Sequence, residues 1–223
     1  MRTGEILRSR HVIVTRFSVP RQHDPETADR HSDPAWIERR LELFRRFFAP
    51  SVSRLEVPTV LLCSTTSSPA VAAAVADLGW ISVVDQDDWY GGWTGEPDQI
   101  VTRMDSDDAI HERWLEAVDA APTVADVCCT REFLRLDPST GRLCAYKRRV
   151  PSPLAAFRNG RNPFAHDHAA LDSNYRVHDI EGPYLLQVFH GGNVSSRRPS
   201  WYRRRLPLSR IEAFGLEAPG RVD

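Results

Sequence analysis

The chain has 223 residues, 41% of them hydrophobic and 26% charged, with a formal net charge of -1. That is enough apolar material for one full core, so wholesale disorder is excluded. The near-neutral balance also gives no bulk attraction to nucleic acid, and no nucleic-acid partner is expected.

"HVIVTRF" (His11 to Phe17) reads as a first buried strand, rich in β-branched residues. Arg21 to Pro34 is polar and reads as a loop. "PAWIERRLELFRRFFAP" follows as a helix, with Trp36, Ile37, Leu41, Phe44, Phe47 and Phe48 at helical spacing. Asp33 and Pro34 are its start signals and Pro50 its stop. "PTVLLCS" is a second strand, "SPAVAAAVADLG" a second helix ending at Gly79, and "WISVVDQ" a third strand. "DDWYGGWTG" reads as an aromatic, glycine-rich loop, and "QIVTRM" as a fourth strand. Ala109, Ile110, Trp114, Ala117 and Val118 then fall on one helical face. "VADVCCTREFLRLDPSTGRLCAYKRRV" reads as two antiparallel strands joined by the turn sequence "DPSTG". "PYLLQVFHGGNVSS" is a late strand ending in glycines, and "RRPSWYRRRLPLSR" a basic tail. Strands alternating with amphipathic helices predict an α/β fold, a mainly parallel sheet flanked by helices, with the antiparallel hairpin as an insertion and a C-terminal strand.

Cys63, Cys128, Cys129 and Cys144 show no CxxC spacing and mostly sit in apolar runs, so they read as small core residues rather than a zinc or disulfide framework. "MRTGEILRSR" lacks the apolar core of a signal peptide, and no segment approaches a membrane span. The expected setting is the reducing cytoplasm. Lys147 is the sole lysine, so phosphate and carboxylate recognition rests on arginine forks.

The densest chemistry lies in "TRMDSDDAIHERW", where Asp105, Asp107 and Asp108 follow the fourth strand directly. Ligands of open α/β sheets bind at the carboxyl ends of strands. Alternate carboxylates at Asp105 and Asp107 can converge on a hard cation, Mg²⁺ or Mn²⁺, which commonly completes its shell with phosphate and water. Arg103 could add a fork to the same phosphates. The competing reading is a helix cap, which one acid satisfies. Three acids within four residues exceed that need, because close carboxylates repel unless a cation joins them. A calcium loop fails, since Ala109 stands at its fifth position and no glycine follows.

Four stretches in order, "HVIVTRFS", "WIERRLELF", "TRMDSDDAIH" and "LLQVFHGGNVSSR", span nearly the whole chain. In them the sequence resembles the bacterial rhamnosyl transferase family, related to glycosyltransferases of the GT-A fold. The resemblance implies a nucleotide-diphosphate-sugar donor, a divalent metal held by an Asp-x-Asp element, and transfer to a carbohydrate, protein or lipid-linked acceptor. By the family pattern Asp105, Asp107 and His190 would hold the metal. Thr15, Arg16 and Phe17, at the end of the first strand, would face the nucleotide together with Arg103, Asp105 and His168. Residues 11–120 would form the nucleotide-sugar half, 121–196 the acceptor half, and 197–223 the basic tail. Two places depart from the pattern. "CSTTSS" stands where relatives carry an acid, and Arg158 and Asn159 stand near a family glutamate, which leaves donor and acceptor open.

An inverting enzyme needs a base on the acceptor hydroxyl, and Asp108, Asp167 and Glu181 are the candidates. For Asp167 and His168 in "FAHDHAALD" the competing reading is a solvated loop. For His190 it is a half-buried strand-end histidine. Trp89, Tyr90 and Trp93 could stack on a sugar or base. Arg197, Arg198 and Arg203 to Arg205 could clasp an anionic group or simply be solvated. Two other functions compete. A nucleotidyltransferase would carry a glycine-rich, lysine-containing loop after the first strand, which "TRFSVPRQ" lacks. A catalytically silent sugar- or nucleic-acid-binding module would bind without turnover.

Overall fold

Short apolar strands buried on both faces set the centre of the molecule. In the computed structural model, which describes residues 9–19, 33–92, 96–190 and 204–217, β1 (His11–Ser18), β2 (Thr59–Cys63), β3 (Ile81–Asp85) and β4 (Ile100–Asp105) pair in parallel. Every residue of β2 is buried, as a strand covered on both faces requires. The sheet is completed by β6 (Val127–Cys129), β9 (Ala155–Phe157) and β10 (Val177–Asp179), in the order β10-β6-β9-β4-β1-β2-β3. Only β9 runs antiparallel to its neighbours. The fold is thus the expected mixed α/β architecture with a mainly parallel sheet. The chain builds β1, β2 and β3 outward in one direction and then returns to place β4 on the other side of β1. That reversal makes the β1/β4 boundary a topological switch point, where the carboxyl ends of strands leave an open crevice.

A second sheet, ordered β12-β8-β7-β11-β5, packs beside the first. The expected hairpin is β7 (Glu132–Asp137) and β8 (Arg142–Lys147), paired from Glu132↔Lys147 to Asp137↔Arg142. β11 (Leu185–Val188) lies parallel to β7 and antiparallel to β5 (Ala109–Ile110). The segment read as a basic tail contributes β12 (Arg205–Leu206) and a 3₁₀ helix (Leu208–Phe214), which bury Ile211 and Phe214 in the core of this sheet.

Several elements differ from the sequence reading, among them the second helix, which ends at Ala74 rather than Gly79. The first helix does not stop at Pro50. Helix α1 (Pro34–Leu43) continues through a π turn (Phe44–Phe48), whose Phe44 carbonyl accepts from the Ala49 N–H, into α2 (Ala49–Ser53). The wider turn gives the proline ring room that an α-helical carbonyl would deny it. The aromatic loop is instead helical over α4 (Gln86–Gly92), after α3 (Ser68–Ala74). Ala109 and Ile110 are a strand rather than a helix start, and helix α5 begins at Trp114 (Trp114–Ala120). β6, read as part of the hairpin, joins the large sheet.

Asp126, just before β6, is almost wholly buried and receives Arg176 through Nε, a terminal nitrogen and the backbone N–H. The Arg176 bonds hold its carboxyl well below the usual carboxylate range. A depressed native pKa stabilises the fold above the unfolded value of about 3.9, and that contribution is lost as pH falls below it. Asp126→Asn is therefore expected to lower stability at pH 7 and to flatten its loss between about pH 4 and 2. Urea midpoints at a series of pH values check this.

Candidate functional site

Arg16 and Asp105 are direct register partners at the carboxyl ends of β1 and β4, so the switch point carries a cation and an anion side by side. Residues alternate along a strand, so Arg16, Arg103 and Asp105 share one face of the sheet. Arg16 is exposed and its guanidinium lies 5.2 Å from the centre of the Phe164 ring. Arg103 is buried, lies 5.1 Å over Phe157, and donates to the carbonyls of Pro163 and His166 (2.7 Å to the latter). Those bonds fasten the 158–170 loop to the same face. Burial first, and then Arg16, lower the Arg103 pKa to about 10, so it stays charged at pH 7.

The turn after β4 is where the chain leaves the large sheet for the second one, and its three acids face different surroundings. Asp105 is exposed and forms no side-chain hydrogen bond or ion pair with a described residue. Desolvation by the surrounding protein, and then Asp107, raise its pKa. Asp107 is 5% exposed, and its Oδ2 accepts from Arg40 at 2.8 Å and meets His190 Nε2 at 2.6 Å. Burial opposes its charge, but Arg40 and then His190 outweigh this and bring the pKa below its ordinary value. Asp108 is 1% exposed and its Oδ1 accepts from the Val188 N–H at 2.9 Å. Its Oδ2 is buried with no partner among the described residues. Burial, Asp107 and Asp105 together push Asp108 well above the usual range.

These environments sort the sequence candidates. Asp105, Arg16 and Arg103 gather at the switch point, and Asp107 meets His190 across 83 residues of chain. Asp108, a sequence candidate for the base, instead ties the turn to β11 and is almost wholly buried. Thr15 and Phe17 turn into the core, 0% and 1% exposed, and Phe17 packs edge-on against Phe44. Asp167 is exposed and precedes the short 3₁₀ helix at His168–Ala170. The charge of Asp167 acts on Arg103 and His168, and desolvation, then Arg103, lower the His168 pKa. Glu181 instead lines a separate recess of about 610 Å³ beside Arg113, Glu116 and His178. Trp89 packs with Val12 and Val60. Trp93, Arg197, Arg198 and Arg203 lie outside the described residues.

Sequence reasoning missed Arg40. Its guanidinium joins α1 to the acidic turn through Asp107 and Ser106. The one local signal is Trp36, a helical turn earlier, over whose ring the guanidinium lies at 5.6 Å.

Right-angle ligands of an octahedral ion with bonds of about 2.1 Å stand roughly 3 Å apart. Asp107 Oδ2 and His190 Nε2, at 2.6 Å, already meet near that spacing and share what is now a hydrogen bond. Among the described residues no group of three or more His, Cys, Asp or Glu side chains is arranged to hold a metal. The donors that meet are the pair Asp107 and His190, and no third His, Cys, Asp or Glu side chain completes a set among the described residues. Among the same residues no helix is long and apolar enough to cross a membrane.

No protein-family model matches the chain, nor does any curated protein. Among solved structures it is similar to 4-diphosphocytidyl-2C-methyl-D-erythritol synthase from Anaerococcus prevotii, with TM-score 0.45 and 12% identity over 82% of this chain and 91% of that one. It is similar to the inositol-1-phosphate CTP transferase from T. maritima, with TM-score 0.41 and 12% identity over 80% and 88%. It is also similar to S. aureus TarS 1-349 in complex with UDP, with TM-score 0.42 and 15% identity over 80% of this chain, which spans 60% of the TarS chain.

Proposed function

We propose that the chain is a metal-dependent glycosyltransferase that moves a sugar from a nucleotide-diphosphate-sugar donor to an acceptor hydroxyl. The observation that carries this reading is the pairing of Arg16 with Asp105 at the β1/β4 switch point, beside an Asp107–His190 contact suited to a cation. A diphosphate needs positive charge from several directions, and Arg16, Arg103 and a cation held by Asp107 and His190 would supply it around the ends of β1 and β4.

In this reading Arg16 holds diphosphate oxygens, while Arg103 braces the 158–170 loop and adds charge from below. Asp107 and His190 would hold Mn²⁺ or Mg²⁺, which when bound supplies charge against the departing nucleoside diphosphate. The sugar C1–O bond breaks with its electron pair going to the diphosphate, and the acceptor oxygen bonds to C1. Asp167 is the base we assign to the acceptor proton. It is the exposed carboxylate beside Arg103 and His168, whereas Asp108 is sealed and Glu181 lines another recess.

Donor hydrolysis tests the assignment. Incubation with a panel of nucleotide sugars and Mn²⁺ is expected to release nucleoside diphosphate from at least one donor, and chelation is expected to stop it. Sugar binding without release would support the catalytically silent sugar- or nucleic-acid-binding module. Release of pyrophosphate from a nucleoside triphosphate and a sugar phosphate would identify a nucleotidyltransferase instead.

A further inference from the structure

The acidic turn already has a cation of its own. Arg40 donates to Asp107 Oδ2 at 2.8 Å and to Ser106 Oγ at 2.5 Å, reaching across 67 and 66 residues of chain. The same Asp107 oxygen meets His190. A carboxylate oxygen has two in-plane lone pairs, so both are in use. A divalent ion approaching that oxygen must displace one partner. His190 need not leave, because an imidazole nitrogen is itself a common metal ligand. Arg40 has no such route, since a guanidinium neither deprotonates in this range nor ligates a metal. Its seat is also incompletely bonded, as Arg40 Nε is buried with no partner among the described residues.

We propose that Arg40 is a positioning residue that competes with a divalent cation for Asp107 and leaves that oxygen when the cation binds. This rests on the reading of Asp107 as a cation ligand. Bound to Ser106 and Asp107, Arg40 keeps the turn in shape and neutralises it while no metal is present. Release would give the crevice a free guanidinium at the moment a charged donor enters.

Titration of the full chain with Mn²⁺ alone, followed by electron paramagnetic resonance of the free ion, tests competition without any turnover. Arg40→Gln is expected to bind Mn²⁺ about tenfold more tightly than the wild type, because an opposing charge a few ångströms from the carboxylate is gone. Adding Asp107→Asn is expected to cancel the gain. A folded Arg40→Gln protein with unchanged or weaker Mn²⁺ affinity would overturn the proposal. In the wild-type chain, diamagnetic Mg²⁺ is expected to shift the Arg40 Nε–H resonance, and a resonance that stays fixed while Mg²⁺ binds overturns it even if the variant does not fold. Nucleoside diphosphate binding, measured separately, keeps the two readings distinct. If it persists without a Mn²⁺ gain, only the competition fails; if it is absent despite the gain, only the donor assignment fails.

Discussion

Asp107→Asn is expected to lower metal-dependent donor turnover by roughly 10³-fold, the scale seen when a preorganised charge at a reacting centre is removed. The substitution keeps the shape and removes the charge that Arg40 and His190 share. Two effects on stability oppose each other. Arg40, mostly buried, loses its counter-charge, and breaking a buried pair from one side costs about 3–5 kcal/mol at the upper end. Against this, Asp105 and Asp108 lose a repelling neighbour that raises both their pKa values. The net loss is therefore expected to fall below that upper figure and to leave the protein folded. Turnover assays beside urea unfolding separate the two losses. A variant that retains wild-type turnover would remove Asp107 from the site.

Trp114→Ala is expected to give the largest loss of stability. Trp114 is 0% exposed at the start of α5, in contact with the underside of the large sheet, and its Nε1 donates to Thr102 Oγ1 on β4 at 3.1 Å. Truncation leaves a cavity and strands a hydroxyl that is itself buried, so about 3–5 kcal/mol is lost. For a chain of this size that corresponds to a Tm lower by roughly 10 °C. Trp114→Phe keeps most of the volume and loses the hydrogen bond, so its cost is expected to be well under half as large. Calorimetry of the two variants distinguishes packing from the polar contact. Because Thr102 lies on the face of β4 opposite Asp105, the Phe variant is expected to leave nucleotide binding nearly intact.

Much of this architecture was readable in the residues. The runs at Val12–Val14, Val60–Cys63 and Val83–Val84 specify strands by themselves, and the alternation with helices implies their parallel pairing. The acidic turn was legible because its composition is local. What escaped depends on partners distant in sequence. Ala109–Ile110 is a strand only because β11 pairs with it, and Ala155–Phe157 is too short to declare itself until β4 and β6 flank it. The helix through Pro50 relies on a π turn that propensity does not anticipate. Arg40 lies on a helix whose pattern announces core, and nothing near it in sequence points to Asp107. Thr15 and Phe17 show the converse. Strand alternation buries both, although family position suggested a ligand contact.

A crystal structure of the protein with a nucleoside diphosphate and Mn²⁺ would show where the anion is held. The diphosphate is expected at the carboxyl ends of β1 and β4, within reach of Arg16, with the ion touching Asp107 and His190. Diphosphate bound elsewhere would contradict the assignment, most pointedly in the recess of about 950 Å³ at the opposite strand ends, beside Arg10, Gln99 and Asp119.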